Sequence, residues 1–333
     1  MFKRILVPLD GSGRAERALP VAARLARASG GSIVLVRVVS TAPASMPSAS
    51  AKPILIQTVG EADRDQAESY LRGVAESVLL TGISVQTQVS VGLVAPSILS
   101  LAADQHADLI VICSHGYTGV RRWWMVGSVA AKVARFAEVP VFVLREGGPV
   151  PEARHPGEPP LRILVPLDGS DAAKAALEPA AFLAATLAAP GQGALHLLHV
   201  VQPTHDGKGP TAASRNALNT QADRNMAREY LDATIRHLRE NPAIANLNLV
   251  LTSSVTIDDD VAQGIVRVAE NGVDDEGDDL FGGCDAIAMT TYGSGGVQRW
   301  VGSVTERVLE TSRLPQLIVR PGAERKEQKS KER

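Results

Sequence analysis

The sequence Ile5-Leu-Val-Pro-Leu-Asp-Gly-Ser12 occurs a second time, unchanged, from Ile163 to Ser170. A later motif repeats in the same order, because Gly127-Ser128-Val129 returns as Gly302-Ser303-Val304. The chain therefore consists of two copies of one unit. A long repeat that occurs only twice indicates a pair of domains rather than a solenoid of short repeats.

The length of the chain agrees with two domains. At about 150 residues per domain, 333 residues predict two. Residues 147–160 are rich in proline and glycine, which is typical of a linker, and the last residues are almost wholly polar. We expect domain one over residues 1–146, a linker over 147–160, domain two over 161–321 and a disordered charged tail over 322–333.

Composition argues against several classes of partner and location. A net charge of −2 offers no electrostatic attraction for nucleic acid or a membrane surface. No apolar run approaches the roughly 20 residues of a membrane span. Residues 1–4 lead straight into a strand-like run, so we expect no signal peptide. The two cysteines, Cys113 and Cys284, lie at non-equivalent points of the repeat, so we expect no disulfide framework and a cytoplasmic protein.

Within one copy, strand-like runs alternate with amphipathic helical patterns. The predicted strands of the first copy are 4–9, 32–39, 83–91, 108–113 and 141–144. The helical faces between them are marked by Ala18 to Ser29, Ala67 to Val78, Ile98 to Ala102 and Val129 to Ala137. This alternation predicts an open α/β fold, flavodoxin-like or Rossmann-like, with a parallel sheet between helices. We expect the second copy to carry its extra residues in loops, before Ile265 and over 274–279.

The chemistry is expected at the carboxyl ends of the strands, because open parallel sheets bind ligands where the strand order reverses. Two loops there carry unusual residues: Asp10-Gly-Ser12 after strand one, and the stretch from Gly116 to Gly127 after strand four. Glycine lets backbone N–H groups approach an anion, and a helix that opens at Ser128 presents unpaired N–H groups to a phosphate. Asp10 could accept hydrogen bonds from a ribose or a base.

A purely structural interpretation of the same residues stays open. Glycine and serine also end strands and cap helices, and one glycine loop is a weak signal. Because the loop recurs in both copies, the pattern favours a nucleotide.

No catalytic or metal-binding set stands out. Ser114 and His115 near Asp10 suggest a hydrolytic triad, but the glycine-flanked turn that presents such a nucleophile is missing. His196 and His199 are three residues apart on one strand, so they point to opposite faces and are poor joint metal ligands. We expect no catalytic residues and no metal site.

These motifs resemble those of the universal stress proteins. The resemblance covers nearly the whole chain. In the first copy it rests on the repeated run from Ile5 to Ser12, on Ser114-His-Gly116, on Gly127-Ser-Val129 and on the closing Val139-Pro-Val-Phe-Val, and the second copy carries the corresponding motifs. It implies, for each copy, a five-stranded parallel sheet of order 3-2-1-4-5 that dimerises through its last strand. Many members of that family bind ATP through a G-x2-G-x9-G-[ST] motif.

The resemblance implies one ATP site per copy. In the first copy Asp10 and Val38 would contact adenosine, while Gly116, Gly127 and Ser128 would hold phosphates. With their neighbours, the implied contact residues of the first copy are Pro8, Leu9, Asp10, Val38, Ile112, Cys113, Gly116, Gly127, Ser128 and Val129. Those of the second copy are Pro166, Leu167, Asp168, Val200, Met289, Thr290, Gly293, Gly302, Ser303 and Val304.

Both copies depart from the family motif. Cys113 and Thr290 replace its first glycine. The spacer that precedes Gly127 has ten residues and the one that precedes Gly302 has eight, on either side of the family's nine. A change of one residue alters how the loop wraps the phosphates.

The resemblance implies a stress-response or regulatory protein that binds ATP, with Mg²⁺ as its counter-ion, and is not a metabolic enzyme. It also implies an intramolecular pseudo-dimer of the two copies, with a further homodimer as an option. Two alternatives remain open: a slow ATPase or self-phosphorylating enzyme that uses Ser128 or Ser303, and an interaction scaffold whose degenerate loops bind nothing.

Overall fold

A computed structural model describes residues 1–40, 60–114, 128–205, 210–272, 282–291 and 302–321. It divides into two compact units, Met1–Glu146 and Gly147–Arg333. Several sequence predictions fall outside the described residues. These are the loop at 41–59, Gly116, His115, Gly127, the acidic residues 274–279, Gly293 and the tail 322–333.

The described residues of the first unit form a five-stranded parallel sheet with four α-helices. Its strands are β1 (Arg4–Pro8), β2 (Ser32–Ser40), β3 (Ser84–Gly92), β4 (Leu109–Cys113) and β5 (Val141–Leu144). Its helices are α1 (Ala18–Ser29), α2 (Glu61–Ala75), α3 (Val94–Asp104) and α4 (Ser128–Phe136). Within the unit the order is β3-β2-β1-β4-β5, with every neighbouring pair parallel. The strand order therefore reverses between β1 and β4.

The second unit repeats this topology. Its strands are β6 (Leu161–Pro166), β7 (Gly193–Val201), β8 (Val250–Ile257), β9 (Ala286–Thr290) and β10 (Gln316–Val319). Its helices are α5 (Asp171–Lys174), α6 (Leu177–Ala188), α7 (Pro210–Glu240), α8 (Pro242–Ala245), α9 (Val261–Asn271) and α10 (Ser303–Thr311). The order is β8-β7-β6-β9-β10, again parallel, so the predicted fold class is confirmed for both copies.

Continuous apolar runs become the central strands because helices cover them. Ile5, Leu6 and Val7 of β1 are fully buried, as are Leu109 and Ile110 of β4. Helix α1 packs against β1, β2 and β4, which keeps water from these side chains. Central parallel strands that are buried on both faces have this composition.

One aspartate in each unit secures the start of the central strand. Asp108 accepts hydrogen bonds from the backbone N of Lys3 at 2.7 Å and of Arg4 at 3.0 Å. Its counterpart Asp285 accepts from the backbone N of Arg162 at 2.8 Å. Asp285 also pairs with Arg154, whose position shows that part of the predicted linker lies against the second unit.

The second helix is shorter than the sequence predicts. Helix α2 ends at Ala75, because Ser77 adopts an extended backbone with φ −64° and ψ 148°. Val78 then begins a short 3₁₀ turn, and its side chain is 90% exposed instead of facing the core. Val78 has the spacing of the buried helical face but does not belong to it, so the prediction of a helix as far as Val78 is wrong.

The extra residues before Ile265 do not form a loop, which corrects the expectation from the sequence. They extend α7 to Glu240 and add the short helix α8. The stretch after Tyr230 is rich in leucine, alanine, arginine and glutamate, which are good helix formers, so the added length continues as helix. In the part of the chain described here, none of the helices has both the length and the apolar character needed to cross a membrane.

Candidate nucleotide site

A cavity of about 440 Å³ lies at the carboxyl ends of β6, β7 and β9 in the second unit. This is the point where the strand order reverses, between β6 and β9. The structure brings together all nine described residues that the resemblance assigned to the second copy. The cavity is lined by Pro166, Leu167, Asp168, Val200, Met289, Thr290, Gly302, Ser303 and Val304.

One wall of the cavity is apolar. Leu198, Ile265 and Met289 belong to the buried core, and Val200 and Val261 pack against it. Helix α9 approaches closely at Gly264, where a Cβ atom would lie 3.2 Å from Val200 Cγ1. This wall can receive a flat apolar group.

Sequence reasoning missed several lining residues. Val261 and Ile265 are four residues apart on α9, a spacing that predicts a core face but carries no signal for a site. His199 and Gln202 at the end of β7 and Thr305 in α10 also line the cavity. Only the packing of α9 and α10 against the sheet brings these residues together.

The loop after β6 is organised by its own aspartate. Asp168 Oδ1 accepts from the backbone N of Ser170 at 3.0 Å and from its hydroxyl at 2.6 Å. Ser170 Oγ in turn accepts from Ala173 N at 3.1 Å and caps α5. Gly169 has φ +86°, in the left-handed region where a side chain would be strained. The loop therefore presents the Asp168 carboxylate at the cavity in a defined position.

The identical residues of the first copy form the same loop. Asp10 Oδ1 accepts from Ser12 N at 2.9 Å and from Ser12 Oγ at 2.6 Å, and Ser12 Oγ accepts from Ala15 N at 3.2 Å. Gly11 has φ +87°. In both copies the aspartate, glycine and serine thus have a structural role, in line with the alternative interpretation of the sequence.

The first turn of α10, next to α9, also lines the cavity. It is anchored to the end of β9, because Gly302 N donates to Thr291 O at 2.5 Å and Thr305 Oγ1 donates to Thr290 O at 2.8 Å. Gly302 at the N-cap has no side chain that could accept from the helix. Among the described residues, none accepts a hydrogen bond from the backbone N–H of Ser303 or Val304. These donors lie at the positive end of the helix dipole and suit an anion.

His199 brings an uncharged ring to the cavity. Burial lowers the pKa of His199, against the opposing effects of the Leu167 backbone and the Asp168 charge. The ring packs edge-on against Tyr230, with 6.3 Å between ring centroids and 72° between planes. The imidazole is therefore neutral near pH 7.

In the first unit the corresponding residues lie at the same end of the sheet. Pro8, Leu9, Asp10 and Val38 stand at the ends of β1 and β2, while Ile112 and Cys113 end β4. Ser128 and Val129 open α4. Strands β1 and β4 are hydrogen-bonded neighbours, so these ends are adjacent. Gly116 and Gly127, the remaining two residues of the set, lie outside the described part.

The other residues singled out in the sequence have structural partners. Ser114 is buried, and its Oγ accepts from Glu146 N at 3.1 Å. His196 contacts Thr252 Oγ1 at 2.9 Å and Ser254 Oγ at 2.8 Å, away from His199. Within the described ranges, no three His, Cys, Asp or Glu side chains are grouped so that they could hold a metal ion.

Relatives of known sequence match one copy at a time. The model of the universal stress protein family matches residues 1–145 and 161–320. A universal stress protein from Methanocaldococcus jannaschii is 27% identical over 147 residues, which are 44% of this chain and 84% of that protein. One from Thermus aquaticus is 31% identical over 146 residues, 44% of this chain and 100% of that protein.

A solved structure matches both copies together. The crystal structure of a universal stress protein from Archaeoglobus fulgidus DSM 4304 has a TM-score of 0.58 and 19% sequence identity. The match covers 96% of this chain and 97% of that one, and shows a shared fold. Since the family model matches almost the whole length of each copy, the chain belongs to the universal stress protein family as a tandem member with two copies.

Proposed function

We propose that this protein is a stress-response or regulatory protein that binds ATP in the cavity of the second unit and in the corresponding crevice of the first. The observation that carries the proposal is the cavity itself, which combines an apolar wall with the first turn of α10, where no described residue accepts from the Ser303 and Val304 N–H groups. Its volume of about 440 Å³ lies within the usual range of small-molecule sites.

The apolar side suits the adenosine part of the ligand. Val200, Ile265 and Met289 offer van der Waals contact to the faces of a purine ring. Asp168 stands at the mouth, and a carboxylate has about four lone-pair positions. It can therefore accept from a ribose hydroxyl while it keeps the two hydrogen bonds from Ser170.

The α10 side suits the phosphates. Ser303 and Val304, which bring two backbone N–H groups and a hydroxyl, line the cavity in the first turn of the helix. Mg²⁺ keeps several waters and is commonly bound through substrate phosphates. A magnesium ion would therefore enter with the nucleotide.

The proposal is tested by the nucleotide content of the protein and by titration. Freshly purified protein should release adenine nucleotide when it is denatured, and calorimetry of the emptied protein should show ATP binding. Ser303→Asp should weaken ATP binding in the second cavity, because its carboxylate favours the helix N-terminus but repels a phosphate. Ser303→Asn, of similar size and neutral, serves as the control and should bind ATP more tightly than Ser303→Asp.

Two outcomes would contradict the assignment. Equal ATP affinity in the Ser303→Asp and Ser303→Asn variants would show that the phosphates do not bind at the start of α10. No extracted nucleotide and no heat of binding would overturn nucleotide binding as a whole and leave the interaction-scaffold alternative.

A slow self-phosphorylating activity is a second candidate, favoured by the Ser303 hydroxyl at the edge of the cavity. The γ-phosphoryl group would be transferred to Ser303 Oγ, with release of ADP and a proton. Mass spectrometry of protein incubated with ATP should then find phosphate on Ser303. Ser303→Ala should abolish this phosphorylation if the candidate is correct. Steady-state phosphate release is a separate measurement, because it requires that water hydrolyses the phosphoserine or the ATP.

A further inference from the structure

One of the differences between the two copies lies beside the candidate site, on the second strand of each unit. Strand β1 pairs with β2 so that Pro8 lies opposite Val36, and β6 pairs with β7 so that Pro166 lies opposite Leu198. The next residue of each outer strand is therefore equivalent. It is Arg37 in the first copy and His199 in the second.

Arg37 lies over the loop that follows β1. Its guanidinium carbon is 4.9 Å from the centroid of the Tyr70 ring. On its other side it meets Gly11, where a Cβ atom would lie 3.2 Å from Arg37 Nη1. Among the described residues, none accepts a hydrogen bond from this guanidinium. Within the described part of the chain, its five N–H donors are positioned by stacking on Tyr70 and by contact with Gly11.

A nearby carboxylate is engaged elsewhere. The Tyr70 hydroxyl donates to Glu16 Oε1 at 2.8 Å. Burial and this hydrogen bond raise the pKa of Tyr70, while the charge of Arg37 acts in the opposite direction. Glu16 therefore accepts from the tyrosine, and Glu16, Arg37 and Asp10 are all close enough to Tyr70 to influence its pKa.

The second copy arranges the same three positions differently. The counterpart of Glu16 is Lys174, whose ammonium group lies 5.5 Å from the Tyr230 centroid and pairs with Asp171 Oδ1 at 2.8 Å. Above Gly169 the space is open, since a Cβ atom there would meet nothing within 4 Å. The two loops have the same backbone, but one is covered by a guanidinium and the other is not.

We propose that Arg37 makes the first crevice selective for an anionic ligand, because its guanidinium over Gly11 can reach a phosphate group held between the Asp10-Gly11-Ser12 loop and the start of α4. The second crevice has the neutral His199 at this position and lacks that guanidinium. The inference rests on the proposed function, because it takes both crevices as nucleotide sites. A planar guanidinium with unused donors pairs strongly with phosphate oxygens, and a neutral imidazole lacks that charge. The first crevice should therefore prefer ATP over adenosine by a larger factor than the second.

The test isolates one site at a time in the full-length chain. Val200→Trp fills the second cavity, and Val38→Trp fills the first crevice, both at half-buried positions. Circular dichroism checks that each variant is folded. Calorimetry with ATP and with adenosine, at low and at high salt, then gives the ratio of the two affinities at each remaining site.

Exchange of Arg37 and His199 between the two sites should exchange their preference for ATP over adenosine. In the Val200→Trp background, Arg37→His should weaken ATP binding by roughly 10- to 100-fold, leave adenosine binding nearly unchanged and reduce the salt dependence. Arg37→Lys, which keeps the charge but not the planar fork, should lose less. In the Val38→Trp background, His199→Arg should tighten ATP binding and increase its salt dependence.

The outcomes separate this inference from the proposed function. Nucleotide binding with equal ATP-to-adenosine ratios at the two sites, unaffected by Arg37→His, would overturn this inference alone. A chain that binds no nucleotide would overturn both. Should a tryptophan variant fail to fold, the Arg37→His chain with both sites intact serves instead. Loss of ATP affinity at one of its two sites supports the inference, and two unchanged sites overturn it.

Discussion

Asp168 shows how one side chain connects the folding of a loop with a ligand contact. Its carboxylate accepts two hydrogen bonds from Ser170 and also lines the cavity. Replacement by alanine removes both roles, whereas Asp168→Asn keeps an oxygen for Ser170 and removes only the charge. The two substitutions therefore separate stability from binding.

We expect Asp168→Ala to weaken ATP binding in the second cavity by about 1.5–3 kcal/mol, the usual contribution of a hydrogen bond to a charged group. It should also lower the free energy of unfolding, because the turn before α5 loses its acceptor. Asp168→Asn should weaken ATP binding by less, because its amide oxygen can still accept a hydrogen bond. Calorimetry and urea unfolding measure the two effects. Unchanged ATP affinity in a chain that carries both Asp10→Ala and Asp168→Ala would show that these carboxylates do not contact the nucleotide.

His196 should make the stability of the second unit depend on pH. It is 2% exposed, and burial together with the charge of Arg162 lowers its pKa from 6.5 to about 3. Below pH 6.5 His196 binds a proton in the unfolded chain but stays neutral in the folded chain. This contribution is fully present above pH 6.5 and is lost, at about 1.4 kcal/mol per pH unit, as the pH falls toward 3.

Urea unfolding at several pH values between about 7 and 5 measures this slope. His196→Gln is the matched control, because its amide can still bond to Thr252 and Ser254 but does not titrate. We expect the wild-type chain to lose more stability than the variant over this range. Parallel curves for the two proteins would show that His196 is not the group responsible.

At the scale of elements, the helix that opens at Ser128 follows a spacer one residue longer than the family motif. If that length impairs the wrapping of phosphates, deletion of one residue between Gly119 and Val126 should tighten ATP binding in the first crevice. Calorimetry in the Val200→Trp background reports on that site alone. Unchanged or weaker ATP binding by a folded variant would show that the longer loop does not impair phosphate binding.

At the scale of the whole molecule, each copy ends in a short apolar strand, Val141–Leu144 in β5 and Gln316–Val319 in β10. Each is the last strand in the order of its own unit, and an apolar edge invites a partner strand. Pairing of the two copies within one chain stays a prediction. We expect residues 1–146, expressed alone, to self-associate in light scattering. A folded and strictly monomeric fragment at high concentration would argue against it.

The sequence by itself determined the features that depend on neighbouring residues. The repeat, the alternation of strands and helices and the loop built by Asp10, Gly11 and Ser12 follow from local periodicity and turn chemistry. The same eight residues therefore fold into the same loop in both copies. The motifs were also enough to select the residues that the structure collects around one cavity, although their contact with a nucleotide stays a proposal.

Only the tertiary structure decided what depends on contact between distant elements. The apolar wall from Val261 and Ile265 exists because α9 packs on the end of β7. Arg37 of the first copy is replaced by His199 in the second. A guanidinium therefore lies over Gly11, whereas the space over Gly169 is open. Such contacts join residues far apart in the chain, and no local pattern encodes which side chain will fill a given space.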